Sequence, residues 1–277
     1  MSNHDFDNKI YHYTSLATFM NNILPSKQIK LSKIKNSRDP YEYKAFRYLG
    51  TEHDPLVGNA KFKDFMKSAQ DLKLNSQYLC FTIPEKSIGH NIFYFTRWGY
   101  DRPKLWELYG DRHRGVCIGF DREKIISSFV KNRHVNVKGS ISCKEVIYKD
   151  IVSRSDQLKN ITLPDYYRKY RKFDLDLFLR DFEEPFFFQK DVDYKDENEY
   201  RFLLITDKEQ VDEKFSIGDS ILDIYYGDLV DTDYINYYYK IIRSEFPHVG
   251  LHKVNWFNGT AILKNFHDDE SNVSPSK

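Results

Sequence analysis

Residues able to do chemistry are concentrated in a few short segments. Glu197-Asn198-Glu199-Tyr200-Arg201 opens an apolar, strand-like run. Residues two apart on a strand project to one face, so Glu197, Glu199 and Arg201 share a face while Tyr200 and Phe202 turn to the other. Two neighbouring carboxylates raise each other's pKa by repulsion, and a guanidinium beside them lowers both. Such a set keeps a carboxylate ionised and ready to stabilise positive charge. It equally describes a charged, solvent-facing strand with an in-strand ion pair. Tyr11-His12-Tyr13-Thr14 places a histidine between tyrosines, as a ligand group or as a structural hydrogen-bonder. Asn36-Ser37-Arg38-Asp39-Pro40 reads as a turn carrying an ion pair, and Leu105–Gly115 as an aromatic helix followed by a basic loop.

Several chemistries lack their motifs. There is no GxxxxGK[ST], no GxGxxG after a strand, no HExxH and no GxSxG, which argues against standard nucleotide hydrolysis, dinucleotide oxidoreduction and α/β-hydrolase chemistry. Cys80, Cys117 and Cys143 are odd in number and too far apart for a zinc cluster. That usage suits a reducing compartment. With 42 Lys+Arg against 41 Asp+Glu, the chain is no polybasic coat for nucleic acid. No apolar run approaches the roughly 20 residues of a membrane span, and the start MSNHDFDNKIYHYTS lacks the apolar core of a signal peptide. A cytoplasmic protein without membrane association is expected. The 21 Tyr, 21 Phe and 3 Trp are expected to fill the core for the most part; stacking surfaces for nucleobases are the other use of such rings.

These segments need elements to hold them. Lys9–Thr14 alternates in the β manner, and Thr14 or Ser15 can cap a helix bearing Leu16, Phe19, Met20, Ile23 and Leu24, which Pro25 ends. Strands are expected at Gln28–Ser32, Gln77–Thr82, Gly115–Phe120, Lys144–Tyr148, Glu199–Ile205 and Ser220–Tyr226. Helices are expected at Tyr41–Leu49, Asn59–Lys73, Pro103–Tyr109, after Asp121, at Asp165–Phe182 and from Asp231 through Phe246. Leu251–Phe257 and Thr260–Phe266 flank Asn258-Gly259, a strong hairpin signal because both turn residues must take φ > 0. The reading is a single α+β domain over 1–277, with a mixed, largely antiparallel sheet core, flanking helices and a frayed acidic tail from about 268.

Taken together the segments resemble the bacterial family known as domain of unknown function 2971. The matching patterns, in order, are His12-Tyr13-Thr14, Asn36 with Asp39-Pro40, Cys80-Phe81-Thr82, Trp106 through Tyr109 to Asp121, Glu197-x-Glu199-Tyr200-Arg201, and Ile221-x-x-Ile224-x-x-Gly227. They run over about four fifths of the chain. The layout is similar to that of ADP-ribosyltransferases: an early strand histidine, a central aromatic helix and a late glutamate. It also resembles proteins of prokaryotic anti-phage islands. The resemblance implies an ADP-ribosyltransferase-like fold, with NAD as co-substrate and an effector role in toxicity or phage defence. It also implies a protein or nucleic-acid acceptor and an antitoxin or defence partner.

Cleaving the nicotinamide–ribose bond builds oxocarbenium-like charge on the ribose, as in glycoside hydrolysis. Under the resemblance Glu199 stabilises that charge and holds a ribose hydroxyl, and Glu197 orients or deprotonates the nucleophile. His12, with Thr14 nearby, bonds the adenosine ribose, Tyr13 and Tyr109 stack on nicotinamide, and Arg38 meets the pyrophosphate. His12, Arg38, Tyr109 and Glu199 must then surround one cleft of several hundred Å³, with His12 and Glu199 on the same side of the sheet. The chain lacks the serine-rich strand of the arginine-modifying class. Two alternatives stand beside this reading. One is a nucleic-acid-binding or sensor module using Lys27, Lys30, Lys33, Lys35 and Arg38, with Arg168, Lys169, Arg171 and Lys172 among Tyr166, Tyr167 and Tyr170. The other is a metal-dependent nuclease using Asp196, Glu197 and Glu199.

Overall fold

A computed structural model describes residues 8–43, 53–88, 94–131, 140–150, 163–208 and 212–266. Nine strands make one sheet: β1 (Lys9–Thr14), β2 (Ser32–Lys33), β3 (Gln77–Thr82), β4 (Val116–Asp121), β5 (Ser140–Glu145), β6 (Glu199–Ile205), β7 (Ile221–Tyr226), β8 (Gly250–Phe257) and β9 (Thr260–Phe266). Their order is β9-β8-β7-β4-β1-β3-β6-β5, with β2 paired to β3. Every neighbouring pair is antiparallel except β7 with β8. Parallel neighbours need a crossover, and the helix Thr232–Glu245 supplies it. The fold is α+β with a mixed, mostly antiparallel sheet.

The remaining longer helices are α1 (Ala60–Asn75), α2 (Pro103–Leu108), α3 (Arg122–Lys131), α4 (Leu163–Tyr170) and α5 (Leu175–Phe187), with Thr232–Glu245 as α6. One sheet face, with Ile10, Phe81, Ile118 and Phe202, packs against Ile125 and Phe129 of α3 and Ile235 and Ile242 of α6. The opposite face carries two separate apolar clusters. Tyr11, Tyr13, Cys117 and Tyr225 pack under Trp106 of α2. Leu203 and Ile205 pack under Phe65, Tyr166 and Phe178 of α1, α4 and α5. Most of the expected aromatic filler is therefore core. Between the clusters the same face carries Cys80, Thr82, Glu199 and Arg201, placed by the registers Glu199↔Thr82 and Arg201↔Cys80. Here the sheet parts: β1 pairs with β4 at six positions, but with β3 only at Tyr11↔Thr82.

Local expectations mostly hold, with instructive exceptions. Ser15 accepts from the Thr18 N–H and caps the first helix, Asp121 accepts from the Lys124 N–H, and Asn258 and Gly259 take φ 51° and 78° in the hairpin turn. The helix after Ser15 runs through a π segment, Phe19–Ile23, and past Pro25 to Ser26, where Lys27 at φ 50° ends it. The single helix expected at Asp165–Phe182 is two. Arg171 turns left-handed at φ 57°, and Asp174, accepting from the Leu177 N–H, caps a new helix. The strand expected at Lys144–Tyr148 divides into β5 and a short strand, Ile147–Lys149. Most of the helix expected at Tyr41–Leu49 and the tail from about 268 lie outside the described residues.

Candidate functional site

A cleft of about 550 Å³ opens where β1 and β3 part. It is lined by His12, Tyr13, Arg38, Tyr109, Glu197 and Glu199, six of the seven site residues expected from sequence. Thr14 is the exception. It pairs with Val116 in the β1–β4 ladder and does not line the cleft.

The Glu-x-Glu segment is built differently from the expected strand face. Glu197 is the last residue of a 3₁₀ turn, Val192–Glu197; Asn198 is left-handed at φ 44°, and β6 begins at Glu199. The two carboxylates still converge, because Lys190 draws them together. Its Nζ lies 2.6 Å from Glu197 Oε2 and 3.2 Å from Glu199 Oε2. Lys190 sits on the short strand Gln189–Asp191, which runs parallel to Ile147–Lys149. Arg201 grips Glu199 through two bonds, Nε to Oε1 at 2.6 Å and Nη2 to Oε2 at 3.1 Å. It also donates to Glu42 Oε1 at 2.6 Å and to the Phe187 carbonyl at 2.6 Å. Glu197 takes a further bond at 2.7 Å from the Tyr109 hydroxyl.

None of these carboxylates is on a solvent face. Glu199 is 3% exposed and Glu197 5%, so the solvent-exposed ion pair that the sequence equally allowed is overturned. Burial alone would raise the Glu199 carboxyl; Arg201 and Lys190 outweigh it and hold it down at about 2. Glu42 is lowered likewise, against burial, chiefly by Arg201. For Lys190 burial disfavours the charge, but Glu199, Glu42 and Glu197 overcome it and raise the ammonium above its ordinary value. Glu42, Glu197 and Glu199 share the two cations Lys190 and Arg201, and Asp39, also buried, adds a further carboxylate to the cleft lining.

His12 solves a geometrical problem. The pleat sends it to the face opposite Tyr11, Thr82 and Glu199, because Tyr11 and Thr82 are the paired residues. The parting of the strands lets its ring fill the gap instead. Nδ1 donates to the Cys80 carbonyl at 2.9 Å, which fixes the tautomer because a carbonyl only accepts. Phe81 packs edge-on against the ring. Burial lowers the His12 pKa, so the imidazole is neutral and Nε2 is an acceptor. His12 and Glu199 line one cleft, but the expected placement on the same side of the sheet is not met: the registers put them on opposite faces. Tyr13 is less available than expected: its hydroxyl donates to the Gly99 carbonyl at 2.5 Å and its ring packs edge-on against Trp106. Tyr109, 43% exposed, offers a free ring face. Arg38 is exposed on the lip, between the 3₁₀ turn Ile34–Asn36 and the short helix Pro40–Tyr43.

Several of the residues behind the two alternative readings are engaged in other contacts. Asp196 is largely exposed and pairs with Lys104 at 3.6 Å, so it does not converge with Glu197 and Glu199. The Lys190 ammonium fills the space between those two carboxylates. Among the described residues no group of three or more side chains is arranged to hold a metal. Of the basic residues, Lys27, Lys30, Arg168 and Lys172 pair with carboxylates, and Tyr166 and Tyr167 are buried. No described helix is long and apolar enough to cross a membrane.

The family model described as Protein of unknown function (DUF2971) matches residues 105–202. Over that segment the chain is similar to the family. The matched span holds the end of α2 from Leu105, Tyr109, Lys190 and the Glu-x-Glu turn, and so supplies the aromatic lip and most of the charged floor. His12, Arg38 and Glu42 reach the same cleft from before it. No curated protein and no solved structure matches the chain.

Proposed function

We propose that the cleft binds NAD and cleaves its nicotinamide–ribose bond, transferring ADP-ribose to an acceptor. The observation that supports this most is the floor: buried carboxylates that outnumber the cations between them, beneath an aromatic lip. A pyridinium ring carries positive charge, and cleavage moves that charge onto the ribose, where a fixed carboxylate stabilises the transition state.

The geometry divides the labour of the two glutamates. Both Glu199 oxygens are committed to Arg201 and Lys190, so Glu199 acts as a fixed charge rather than as a hydroxyl acceptor. Glu197 Oε1 is held by the neutral hydroxyl of half-exposed Tyr109, which a ribose hydroxyl can replace. Holding the ribose passes to Glu197, His12 Nε2 accepts from a second hydroxyl, Tyr109 stacks on the ring, and Arg38 on the lip meets the pyrophosphate.

The test uses NAD labelled in its adenosine half, following nicotinamide release and label transfer, with binding read by saturation-transfer NMR. Wild type should bind NAD and release nicotinamide, and Glu197→Gln and Glu199→Gln should bind it yet release far less. Absence of binding at about 1 mM, the upper end of ordinary KM values, refutes the reading. Binding without release, across acceptor-containing lysates, assigns the cleft to nucleotide sensing instead.

A further inference from the structure

Arg102 is 1% exposed, yet it faces mostly backbone. Its Nη1 donates to the Asp196 carbonyl at 2.8 Å, and its Nη2 reaches the Ile83 carbonyl at 3.3 Å and the exposed Glu85 carboxylate at 3.4 Å. Burying a guanidinium costs several kcal/mol unless its bonds are well made, and a planar fork can span two chain segments where an ammonium cannot. The segments it spans decide the cleft. Asp196 precedes Glu197, and Asn198 on the other side donates from Nδ2 to the same Ile83 carbonyl at 2.9 Å. Ile83 N–H donates in turn to the Asn198 carbonyl at 3.0 Å. Arg102 is also the N-cap of α2, its carbonyl accepting from the Leu105 and Trp106 N–H groups. That helix ends at Leu108 and is followed at once by Tyr109.

We propose that Arg102 is the positioning residue of the cleft. It clamps the turn carrying Glu197 to the helix that delivers Tyr109, so the hydroxyl–carboxylate contact between them depends on its guanidinium. The inference rests on the NAD reading for its catalytic meaning, but its geometry is testable without NAD.

The experiment labels tyrosine at Cζ and follows the Tyr109 resonance, assigned with Tyr109→Phe, against pH. In wild type, burial first and the Glu197 charge second keep the Tyr109 hydroxyl protonated above the ordinary tyrosine range. Arg102→Gln should move the titration down, and Arg102→Lys, which can reach one carbonyl but not both, should move it part of the way. Glu197→Gln with Arg102 intact should shift it in the same direction, by removing the charge. A folded Arg102→Gln with a wild-type Tyr109 titration overturns the proposal. If Arg102→Gln fails to fold, Arg102→Lys decides alone, and unfolding of both makes Arg102 a folding residue and equally overturns it. A wild type that leaves NAD intact refutes the functional reading only, since the tyrosine signal is read in its absence.

Discussion

Exchange of Glu199 for glutamine removes one charge and almost no volume, and its consequence can be worked from the pair geometry. The Glu199 carboxyl sits at about 2 in the folded protein against an ordinary 4.5. At about 1.36 kcal/mol per pKa unit, the folded state gains on the order of 3 kcal/mol from its ionised form. Removing one partner of a buried pair costs a similar ~3–5 kcal/mol. Because the folded value is depressed, this stabilisation is fully present above pH ~4.5 and fades as pH falls toward about 2. Glu199→Gln should therefore lose about 3 kcal/mol at pH 7, and the gap to wild type should close in acid. With roughly 2–4 °C of Tm per kcal/mol in large domains, the loss is about 6–12 °C. Thermal and urea denaturation over pH 2–7 measure it. A solvent-facing pair would instead give about 0–1 kcal/mol at every pH. A Tm within about 2 °C of wild type at pH 7 would thus refute the buried network and the division of roles built on it.

Three further outcomes are expected. Tyr109→Phe keeps the ring and should leave NAD affinity within a few-fold, whereas Tyr109→Ala should weaken it by about 1–3 kcal/mol, the worth of one stacked ring; isothermal titration separates them. Gly259→Val, at φ 78°, should cost about 1–2 kcal/mol in urea unfolding and leave the cleft untouched. Gly227→Ala should cost at least ~1–3 kcal/mol by overpacking, because a Cβ there would lie 2.2 Å from the His113 carbonyl oxygen; an unchanged urea midpoint would show that the approach is not tight.

What the sequence made legible was set by locality. Asn258-Gly259, the Ser15 and Asp121 caps and the alternation in Lys9–Thr14 are decided within a few residues, and each formed as read. The break at Arg171 was not legible, because its charged surroundings carry no glycine or proline to mark a left-handed turn. The parting of β1 from β3 was equally hidden. The pairing partners of β1 and β3 are set by segments far away in the chain, so nothing local to Tyr11-His12-Tyr13 marks the single pair Tyr11↔Thr82.

The charges of the cleft were the least legible part, for a physical reason. The environment of a carboxylate is made by what packs across from it, and Lys190 and Glu42 arrive from segments whose neighbours announce nothing. Arg201 alone sits beside Glu199 in the chain, and reading only that pair gives a surface ion pair. With Lys190 and Glu42 in place, the floor becomes a buried chain in which each of these charges is held by its opposite, and a ligand group that bonds one of these carboxylate oxygens competes with a contact already made. Displacing Arg201 or Lys190 would strand a buried charge, at a cost of several kcal/mol. Displacing the Tyr109 hydroxyl exchanges one neutral donor for another, worth about 1 kcal/mol either way. The smaller cost directs a hydroxyl-bearing ligand to Glu197, leaves Glu199 as the fixed charge beneath it, and makes the position of the Glu197 turn, rather than the acidity of Glu199, the quantity on which the site depends.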